Sequence, residues 1–478
     1  MRRRLDGGLF RSRTVLAGGA LCLAACLAYY VVRVDVLRPW HGESDLAIYR
    51  GAVRWWFDHR PLYSFRLHGT PYGFTYPPFA AYLMRPWGWL GPTPAMVLNE
   101  VASVAVLVGT TWWLVAPVAA RHGWPARTAL AVAVPLAWFL EPVRETLGLG
   151  QVNLYLAALV LFDAAALRRG SRLAGLGIGL AAAIKLTPGL FIAYLLLTGR
   201  RRAAAVAGGI FLAAAGVALA LSPATSIQFW THTMFQTSRV GPTGAVANQS
   251  LLGLLTRLAG GQPPRALVWI ALGAVLVVGL ARARSAHRRG DDLVGLTLTG
   301  LTACLLSPIS WTHHLYWVVP AVLVLVDLAA GARTHRRAVA GIGAGVVFAV
   351  FASSVVWYFA TPAGGMRGSG PVAVLGADAY TLVMLGLLVL LPARRAGAAV
   401  ERDEPRGATR VTTPSGRSWP APDDNVASFN HLRVAALTRL GRLSRPWLTR
   451  RSLPPGPLPP GTVRTTSGSR CRTPPSAS

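Results

Sequence analysis

A membrane helix is predicted most directly by the residues Ala203-Ala-Ala-Val-Ala-Gly-Gly-Ile-Phe-Leu-Ala-Ala-Ala-Gly-Val-Ala-Leu-Ala-Leu-Ser222, which follow Arg200-Arg-Arg202. A helix needs about 20 consecutive apolar residues to cross the hydrocarbon core of a bilayer, and this run supplies them without a charged side chain. Comparable runs recur from Thr14 to Leu391. Only 14% of the 478 residues are charged, against about 25% in a typical soluble chain. The sequence therefore predicts an all-α, polytopic membrane helical bundle.

The apolar runs predict about twelve spans. Their ranges are 14–32, 95–118, 128–140, 152–167, 173–184, 187–198, 203–222, 266–282, 293–309, 313–331, 338–359 and 372–392. The pair 173–184 and 187–198 is short, about 18 Å per arm at ~1.5 Å per residue. We predict that this pair forms a hairpin of tilted or re-entrant helices around Lys185-Leu-Thr-Pro188.

The same runs divide the chain into regions. The predicted regions are a cytoplasmic N-terminus at 1–13, a transmembrane catalytic domain at 14–392 that includes a long external loop at 33–94, and a tail at 393–478. The tail is rich in Pro, Ser, Thr and Arg, a composition typical of disorder. Its basic segment His431–Arg451 has spaced Leu and Val, which suits either binding to anionic membrane lipid or simple solvation.

Positive charge predicts the orientation of the bundle. The formal net charge is +30, yet the arginines cluster in short loops between apolar runs and in the tail, so we do not predict binding to nucleic acid. The clusters fall at every second loop, and an excess of Arg is typical of cytoplasmic loops. We therefore predict a multi-pass plasma-membrane protein with a cytoplasmic N-terminus and tail, and with its active site on the extracytoplasmic side.

The first external loop opens with an acid, Asp45, in the segment His41-Gly-Glu-Ser-Asp-Leu-Ala-Ile-Tyr49. The predicted orientation places its carboxylate at the membrane surface. There it can take a proton from a substrate whose other end lies in lipid. The simpler interpretation is a loop acid that caps a helix N-terminus. The other polar groups predicted on the same side favour a catalytic role.

Lys185 is the only lysine in a chain whose Lys and Arg together number 48. A lysine kept in such an arginine-rich chain indicates a need for a compact ammonium rather than a planar guanidinium. A compact charge at a helix break suits a phosphate. The alternative is a cation at a helix end that extends to the membrane surface.

Polar and aromatic side chains that can contact a sugar fall on the same predicted side. They are Tyr49, Tyr76, Gln151, Asn153, Asn248, Gln249, Trp311 and the pair His313-His314. Neutral imidazole can hydrogen-bond a hydroxyl or pass a proton, and amides bind hydroxyls through paired donors and acceptors. Simpler interpretations are helix caps for the amides and membrane-interface positions for the aromatics.

Several common signatures do not occur in the sequence. There is no Walker A motif, no external Asp-x-Asp pair and no Gly-x-Ser-x-Gly elbow. The sequence therefore does not predict ATP use, a nucleotide-sugar donor, a bound metal or a cofactor. The four cysteines, Cys22, Cys26, Cys304 and Cys471, are too scattered for a zinc site or a disulfide framework.

Six motifs in order resemble glycosyltransferase family 87, the polyprenyl-phosphate-mannose-dependent mannosyltransferases of the C superfamily, over about residues 40–390. They are Asp45-Leu-Ala-Ile-Tyr49, Phe74-Thr-Tyr-Pro-Pro78, Gly150-Gln-Val-Asn153, Lys185-Leu-Thr-Pro188, Asn248-Gln-Ser250, and Ser307-Pro-Ile-Ser-Trp311 with His313-His314. The resemblance implies a multi-span bundle with an external active site, a lipid-phosphate donor, inversion at the anomeric carbon and no required metal.

The resemblance also implies roles for particular residues. The first-loop acid of the family maps onto Asp45 as catalytic base, and a later-loop histidine maps onto the pair His313-His314 without distinguishing between them. In the predicted reaction Lys185, with an external arginine such as Arg54 or Arg239, holds the donor phosphate. The predicted acceptor is a mannosylated envelope glycolipid or lipoglycan, extended through an α-1,2 bond.

Two other functions are compatible with the sequence. One keeps the fold and uses an arabinofuranosyl lipid donor. The other is a flippase or transporter of lipid-linked sugars, which predicts polar residues at the middle of the membrane and some repeat symmetry. The polar groups are predicted at external helix ends, so transfer is favoured over transport.

Overall fold

The structure is a computed structural model that describes residues 44–331 and 334–394. The predicted N-terminus at 1–13, the first predicted span at 14–32 and the tail beyond residue 394 lie outside the described residues. Within the described ranges the secondary structure is helical, apart from the isolated β-bridges Asn248–Trp311 and Ala360–Met366. The predicted all-α fold is confirmed.

The α-helices of the described ranges are numbered in chain order. The first nine are α1 Ser44–Phe57, α2 Pro78–Leu83, α3 Arg85–Trp89, α4 Pro92–His122, α5 Ala126–Phe139, α6 Glu141–Gly148, α7 Asn153–Arg168, α8 Leu176–Ile184 and α9 Leu190–Leu197. The next nine are α10 Arg201–Leu221, α11 Pro223–Thr231, α12 Leu251–Leu258, α13 Arg265–Arg288, α14 Asp292–Leu306, α15 Val318–Gly331, α16 Thr334–Ala352, α17 Pro371–Ala377 and α18 Ala379–Leu390. Short 3-10 turns at Thr187–Gly189 and Thr312–His314 carry residues of the site described below.

Within residues 44–331 and 334–394, four helices are long and apolar enough to cross a membrane, namely α4, α10, α13 and most of α16. The number rises to six if the bent pairs α5–α6 and α17–α18 each count as one span. The chain is thus a multi-pass membrane protein, as predicted. The predicted count of about twelve spans is not confirmed. Although a helix lies at each predicted range after 14–32, several have 16 residues or fewer, and at ~1.5 Å per residue they are shorter than the roughly 30 Å hydrocarbon core.

Helices α5, α17 and α8 each end where the chain changes direction, and the chemistry of proline explains the end of α8. The axes of α5 and α6 meet at 74°, and those of α17 and α18 at 72°. After α8 the chain becomes extended at Lys185, with φ −145° and ψ 130°. Pro188 has no N–H to donate to the carbonyl of Ile184, and its ring would collide with that carbonyl in a continuous helix. The break predicted around Lys185 is therefore present.

Helix α14 lies in the interior of the described bundle, because every residue from Val294 to Leu305 is buried. Its neighbour α13 instead exposes large apolar side chains such as Trp269 and Ile270, as expected of a helix that faces lipid. The two helices touch closely. A Cβ on Gly279 would lie 2.1 Å from Thr302 Oγ1. Helix α14 ends at Leu306 and thereby delivers the following segment to the candidate site.

Helix α8 is held between two other helices by contacts that only glycine permits. A Cβ on Gly177 would lie 2.1 Å from the carbonyl oxygen of Leu159 in α7. A Cβ on Gly179 would lie 2.5 Å from the carbonyl oxygen of Ala207 in α10. These contacts hold the first turn of α8, the helix that ends just before Lys185.

The predicted external loop at 33–94 is folded from residue 44 onward around an aromatic cluster of Tyr49, Tyr63, Phe74, Tyr76 and Phe229. The rings of Tyr63 and Phe229 stack with centroids 5.7 Å apart, and those of Tyr49 and Tyr76 lie 5.5 Å apart. All five side chains are buried. Because Phe229 belongs to α11, the cluster anchors α1 to the helix bundle.

Candidate active site

Asp45 lies in the first turn of α1 and is tied to the loop between α6 and α7. The backbone N–H groups of Asp45 and Leu46 both donate to the carbonyl oxygen of Leu149, at 3.1 and 3.2 Å. The side chain of Gln151 donates from Nε2 to Asp45 Oδ2 at 2.7 Å. The carboxylate is half-buried. It is therefore accessible from outside the protein yet fixed in direction by a neighbouring amide.

The other end of the Gln151 amide meets two tyrosines. Tyr49 Oη donates to Gln151 Oε1 at 2.8 Å, and Tyr76 Oη donates to the same oxygen at 3.1 Å. The two phenol oxygens are 2.9 Å apart. Burial raises the pKa of both phenols above the usual value, so both remain protonated at neutral pH.

Lys185 is linked to the turn that carries the two histidines. Its Nζ donates to Asn153 Oδ1 at 3.1 Å, and Asn153 Nδ2 donates to the backbone carbonyl of His313 at 3.0 Å. The same Nζ lies 5.5 Å from the centre of the Tyr76 ring. Burial lowers the pKa of Lys185 to about 8, while the nearby carboxylate of Asp45 acts in the opposite direction. The ammonium is thus within the electrostatic influence of the Asp45 carboxylate and is still protonated at neutral pH.

The two histidines differ in their surroundings. Their rings are perpendicular, with centroids 4.6 Å apart. His314 Nδ1 accepts a hydrogen bond from the backbone N–H of Trp311 at 3.2 Å, so a neutral His314 carries its proton on Nε2. Burial, with smaller contributions from Lys185 and His313, lowers the pKa of His314 well below the usual value. His314 is therefore suited to donate a hydrogen bond rather than to carry a positive charge.

Lys185 and His314 contribute polar groups to the wall of a partly open cavity of about 50 Å³. Asn153 and Ser310 add further polar groups to its wall. The remainder is mainly apolar and includes Leu156, Val160, Phe191 and Trp317. A wall with both polar and apolar residues suits a molecule that has a charged head and an apolar chain. Of the two histidines, His314 is the one that contributes to the cavity wall.

The structure thus brings together a subset of the predicted site residues. The grouped residues are Asp45, Tyr49, Tyr76, Gln151, Asn153, Lys185 and His314. They come from α1, the aromatic cluster, the start of α7, the break after α8 and the turn after α14. Within the described residues no group of three or more His, Cys, Asp and Glu is close enough to hold a metal ion.

Asn248 and Gln249 lie outside this group and are fully buried. The Asn248 amide donates to two backbone carbonyls and accepts from two backbone N–H groups. Gln249 donates to the carbonyls of Val246 and Ala377 and accepts from the N–H and hydroxyl of Thr381. Since all four positions of each amide are occupied inside the protein, both are placed to stabilise loops, and their predicted contact with substrate stays a prediction.

Three other predicted residues, Trp311, Arg54 and Arg239, do not line the cavity. Trp311 is half-buried and packs against Gly241. Arg54 is exposed near the end of α1. Arg239 donates to the backbone carbonyl of Tyr63. Neither arginine hydrogen-bonds to Lys185 or Asn153 in the described part of the chain, so their role at the donor phosphate also stays a prediction.

Some residues of the site could not be found from the sequence. The Leu149 carbonyl is a backbone group, and no sequence pattern distinguishes it from any other. Phe191 and Leu156 look like ordinary apolar residues of membrane helices. Thr146 donates to the same His313 carbonyl as Asn153, at 3.1 Å. The one available signal for Thr146 was its position seven residues before Asn153, at the end of a helix facing the same loop.

The described part of the chain thus combines membrane helices with a grouped carboxylate, ammonium and imidazole. The model of glycosyltransferase family 87 matches residues 74–308. The polyprenol-phosphate-mannose-dependent alpha-(1-2)-phosphatidylinositol mannoside mannosyltransferase of Mycobacterium tuberculosis is 35% identical over 325 residues, which covers 64% of this chain and 74% of that relative. The chain therefore belongs to glycosyltransferase family 87.

Other relatives carry similar descriptions. The enzyme of the same description from Mycolicibacterium smegmatis is 36% identical over 315 residues, covering 60% of this chain and 70% of the relative. A polyprenol-phosphate-mannose-dependent alpha-(1-2)-phosphatidylinositol pentamannoside mannosyltransferase of Mycobacterium tuberculosis is 34% identical over 282 residues. The match covers 58% of this chain and 63% of that relative. No solved structure matches the chain.

Proposed function

We propose that the protein transfers mannose from polyprenol-phosphate-mannose to a phosphatidylinositol mannoside and forms an α-(1→2) bond. The descriptions of its relatives support this donor, this acceptor and this linkage. The family match at 74–308 includes Gln151, Asn153 and Lys185. Asp45 and His314 lie outside the matched range, so their roles rest on the geometry of the site.

The observation that carries the proposal is the Lys185 ammonium in the wall of a mainly apolar cavity, together with the Asp45 carboxylate, which acts on that ammonium from outside the cavity wall. A lipid-phosphate sugar likewise has a polar part and an apolar part, because its charged phosphate separates the sugar from a hydrocarbon chain. Lys185 binds the phosphate, and the apolar wall accepts the first part of the lipid. The sugar then faces Asp45.

The reaction is a single displacement. Asp45 takes the proton from an acceptor hydroxyl as that oxygen forms a bond to the anomeric carbon of mannose. The bond from the anomeric carbon to the phosphate oxygen breaks at the same time, and polyprenol phosphate leaves with the electron pair. A β-linked mannosyl phosphate therefore gives an α-linked product.

Two side chains stabilise the departing charge. The Lys185 ammonium is already in place and partly desolvated, so it can stabilise the phosphate without a large rearrangement. His314 offers its Nε2–H as a neutral donor to the phosphate or to an acceptor hydroxyl. Polyprenol phosphate leaves as an anion, so no general acid is needed.

We also propose that this site faces the outside of the cell. The alternation of arginine clusters along the sequence supports that orientation. The donor then enters from the outer leaflet, and the acceptor mannoside approaches from the envelope. The N-terminus and the tail lie in the cytoplasm.

The test is a transfer assay with the purified full-length chain in lipid nanodiscs. Labelled polyprenol-phosphate-mannose and a phosphatidylinositol mannoside are supplied, and the expected product is an extended mannoside that an α-1,2-mannosidase shortens. A labelled arabinofuranosyl lipid serves as the competing donor. Incorporation from that donor alone, or movement of intact donor across the bilayer of proteoliposomes without any new bond, would overturn the proposal.

A further inference from the structure

A single amide, that of Gln151, stands between the candidate base and two buried phenols. Its Nε2 faces Asp45 Oδ2 at 2.7 Å, and its Oε1 faces the phenol oxygens of Tyr49 and Tyr76. All three side chains are buried, with Gln151 only 4% exposed. This arrangement is more specific than the direct contact with sugar that the sequence predicts for these residues.

The hydrogens in this arrangement can be counted. Tyr49 Oη, Tyr76 Oη and Gln151 Oε1 form a triangle with edges of 2.9, 3.1 and 2.8 Å. Each phenol has one hydrogen, and the amide oxygen has none. The edge between the two phenols can use only one of the two hydrogens. If both phenol hydrogens form hydrogen bonds among these three oxygens, at least one of them is therefore donated to Gln151 Oε1.

The same count of donors and acceptors determines which end of the Gln151 amide faces Asp45. A Gln151 amide turned by 180° would place its oxygen against the carboxylate of Asp45, and two acceptors would face each other. It would also remove the acceptor that the phenols use. Burial keeps both phenols protonated, since it raises the pKa of each. The donor end of Gln151 is thus held on Asp45 over the working pH range.

We infer that Gln151 is a positioning residue that keeps Asp45 ionised and correctly directed, and that Tyr49 and Tyr76 act as interchangeable donors that hold the Gln151 amide in place. The inference rests on the proposed function, because it takes Asp45 as the base. A hydrogen bond donated to a carboxylate stabilises its charged form. Loss of Gln151 should therefore make Asp45 easier to protonate.

Other groups also act on Asp45 and must stay constant in a test. Lys185 faces it from the break after α8 and favours the carboxylate form. The phenols of Tyr49, on the same helix, and Tyr76, from the aromatic cluster, are neutral. The histidine pair lies beyond Lys185 and interacts with that ammonium. A substitution of Gln151 leaves the charged groups in place, and the two phenols lose an acceptor but stay neutral.

The first experiment measures kcat/KM against pH for Gln151→Leu. We expect the acidic limb of the profile to move up by about one pH unit, since one hydrogen bond to the carboxylate is lost. The KM for the lipid donor should change little, because Lys185 is untouched. An acidic limb that superimposes on that of the wild type would overturn the inference.

The second experiment uses the interchangeability of the phenols. Tyr49→Phe and Tyr76→Phe should each keep kcat within about 1.5-fold of wild type, because the remaining phenol still donates to Gln151. The double variant should lose about tenfold in kcat, since a misdirected catalytic group is costly. Effects of the two single changes that simply multiply in the double variant would overturn the interchangeable role.

Tyr63→Phe is the matched control. Tyr63 is a buried tyrosine of the same aromatic cluster, and it donates to the backbone carbonyl of Tyr76 at 2.9 Å without hydrogen-bonding to Gln151. We expect this variant to lower stability while leaving the acidic limb unchanged. An equal shift of the limb in Tyr63→Phe would mean that loosened packing causes the effect, and the inference would fail.

A readout without turnover separates this inference from the proposed function. Infrared spectra recorded against pH show the carbonyl band of a protonated carboxyl, and the band missing in Asp45→Asn belongs to Asp45. If wild type transfers no mannose, the proposed function fails. In that case a higher Asp45 pKa in Gln151→Leu would still support the positioning role, and an unchanged pKa would still overturn it.

Discussion

Asp45 combines partial exposure with a fixed direction, which is what a general base at a membrane surface needs. We expect Asp45→Asn to lower kcat by about 10²–10⁴-fold, because the amide keeps the shape of the side chain and removes its basicity. The measurement is mannose transfer by purified variant, normalised to folded protein by size-exclusion chromatography and thermal unfolding.

The control for that change is Asp58→Asn. Asp58 is exposed just beyond the end of α1, so the same chemical change there should leave transfer unaffected. Near wild-type turnover by a folded Asp45→Asn protein would remove Asp45 from the mechanism. Equal losses in both variants would point to a general effect of charge at this surface.

If Lys185 binds the donor phosphate as proposed, we expect it to give the reaction an alkaline limit. Burial lowers its pKa to about 8, and the ammonium form is the one that binds phosphate. As pH rises through this value, Lys185 loses its proton, and kcat/KM for the lipid donor should fall. The limb in kcat should lie at higher pH, because the bound phosphate stabilises the ammonium. Profiles of kcat and kcat/KM over pH 6–10 measure both limbs.

Two substitutions identify the group responsible for that limb. Lys185→Arg should remove the alkaline limb, since a guanidinium stays protonated, while binding the donor less well because it is larger and planar. Lys185→Met should raise the donor KM by roughly ten- to a hundredfold, since a charged hydrogen bond is worth about 1.5–3 kcal/mol. An alkaline limb that persists in Lys185→Arg would assign it to another group.

The sequence shows which functional groups a site could use, but not which other groups of the protein surround them. Asp45 was predicted from its position in the first external loop and Lys185 because it is the only lysine. The structure places both near Tyr76, Asp45 through Gln151 and Lys185 directly. Asn248 and Gln249 were predicted from the same kind of argument, yet their amides are occupied by distant groups such as Pro308 and Thr381. A sequence shows that an amide is present but not whether its hydrogen bonds are already used.

At the level of helices, α8 controls the position of Lys185 through its glycines. We expect Gly177→Val to displace α8 and lower both stability and transfer, because its Cβ would lie 2.1 Å from a backbone oxygen of α7 that cannot move easily. Thermal unfolding in nanodiscs and the donor KM measure the two effects.

Gly209→Val is the matched control for that change. It lies in α10, and a Cβ there would meet nothing within 4 Å, so the same substitution should have little effect on either measurement. A Gly177→Val protein as stable and active as Gly209→Val would show that close packing does not position Lys185.

Helix positions were predictable because apolar runs mark them, but helix lengths across the membrane were not. Hydropathy reports whether a segment avoids water and does not distinguish lipid from protein interior. Helix α14 is apolar because it is buried among other helices, whereas α13 is apolar because it faces outward. The sharp bends near Glu141 and Asp378 also divide runs that look continuous in sequence.

Across the whole molecule, charge is arranged along the length of α14. Its N-terminal end, at Asp291 and Asp292, is joined by ion pairs to Arg200 and Arg394. Its C-terminal end leads into the turn that contains His314. The 15 residues of α14 separate these two ends by about 22 Å, at ~1.5 Å per residue. Arg200, from one of the arginine clusters used to predict orientation, and the candidate active site thus lie at different ends of the same buried helix.

This separation makes the predicted orientation testable. We expect a cysteine at His68 to react with a membrane-impermeant maleimide on spheroplasts and one at Arg289 to react only after lysis. Both positions are exposed, and they lie on opposite sides of the bilayer if the cytoplasmic loops are the arginine-rich ones. The background variant has Cys22, Cys26, Cys304 and Cys471 replaced by Ser, so that labelling reports only the introduced residue. Labelling of Arg289→Cys before lysis, with His68→Cys protected, would reverse the orientation and place mannose transfer at the cytoplasmic face.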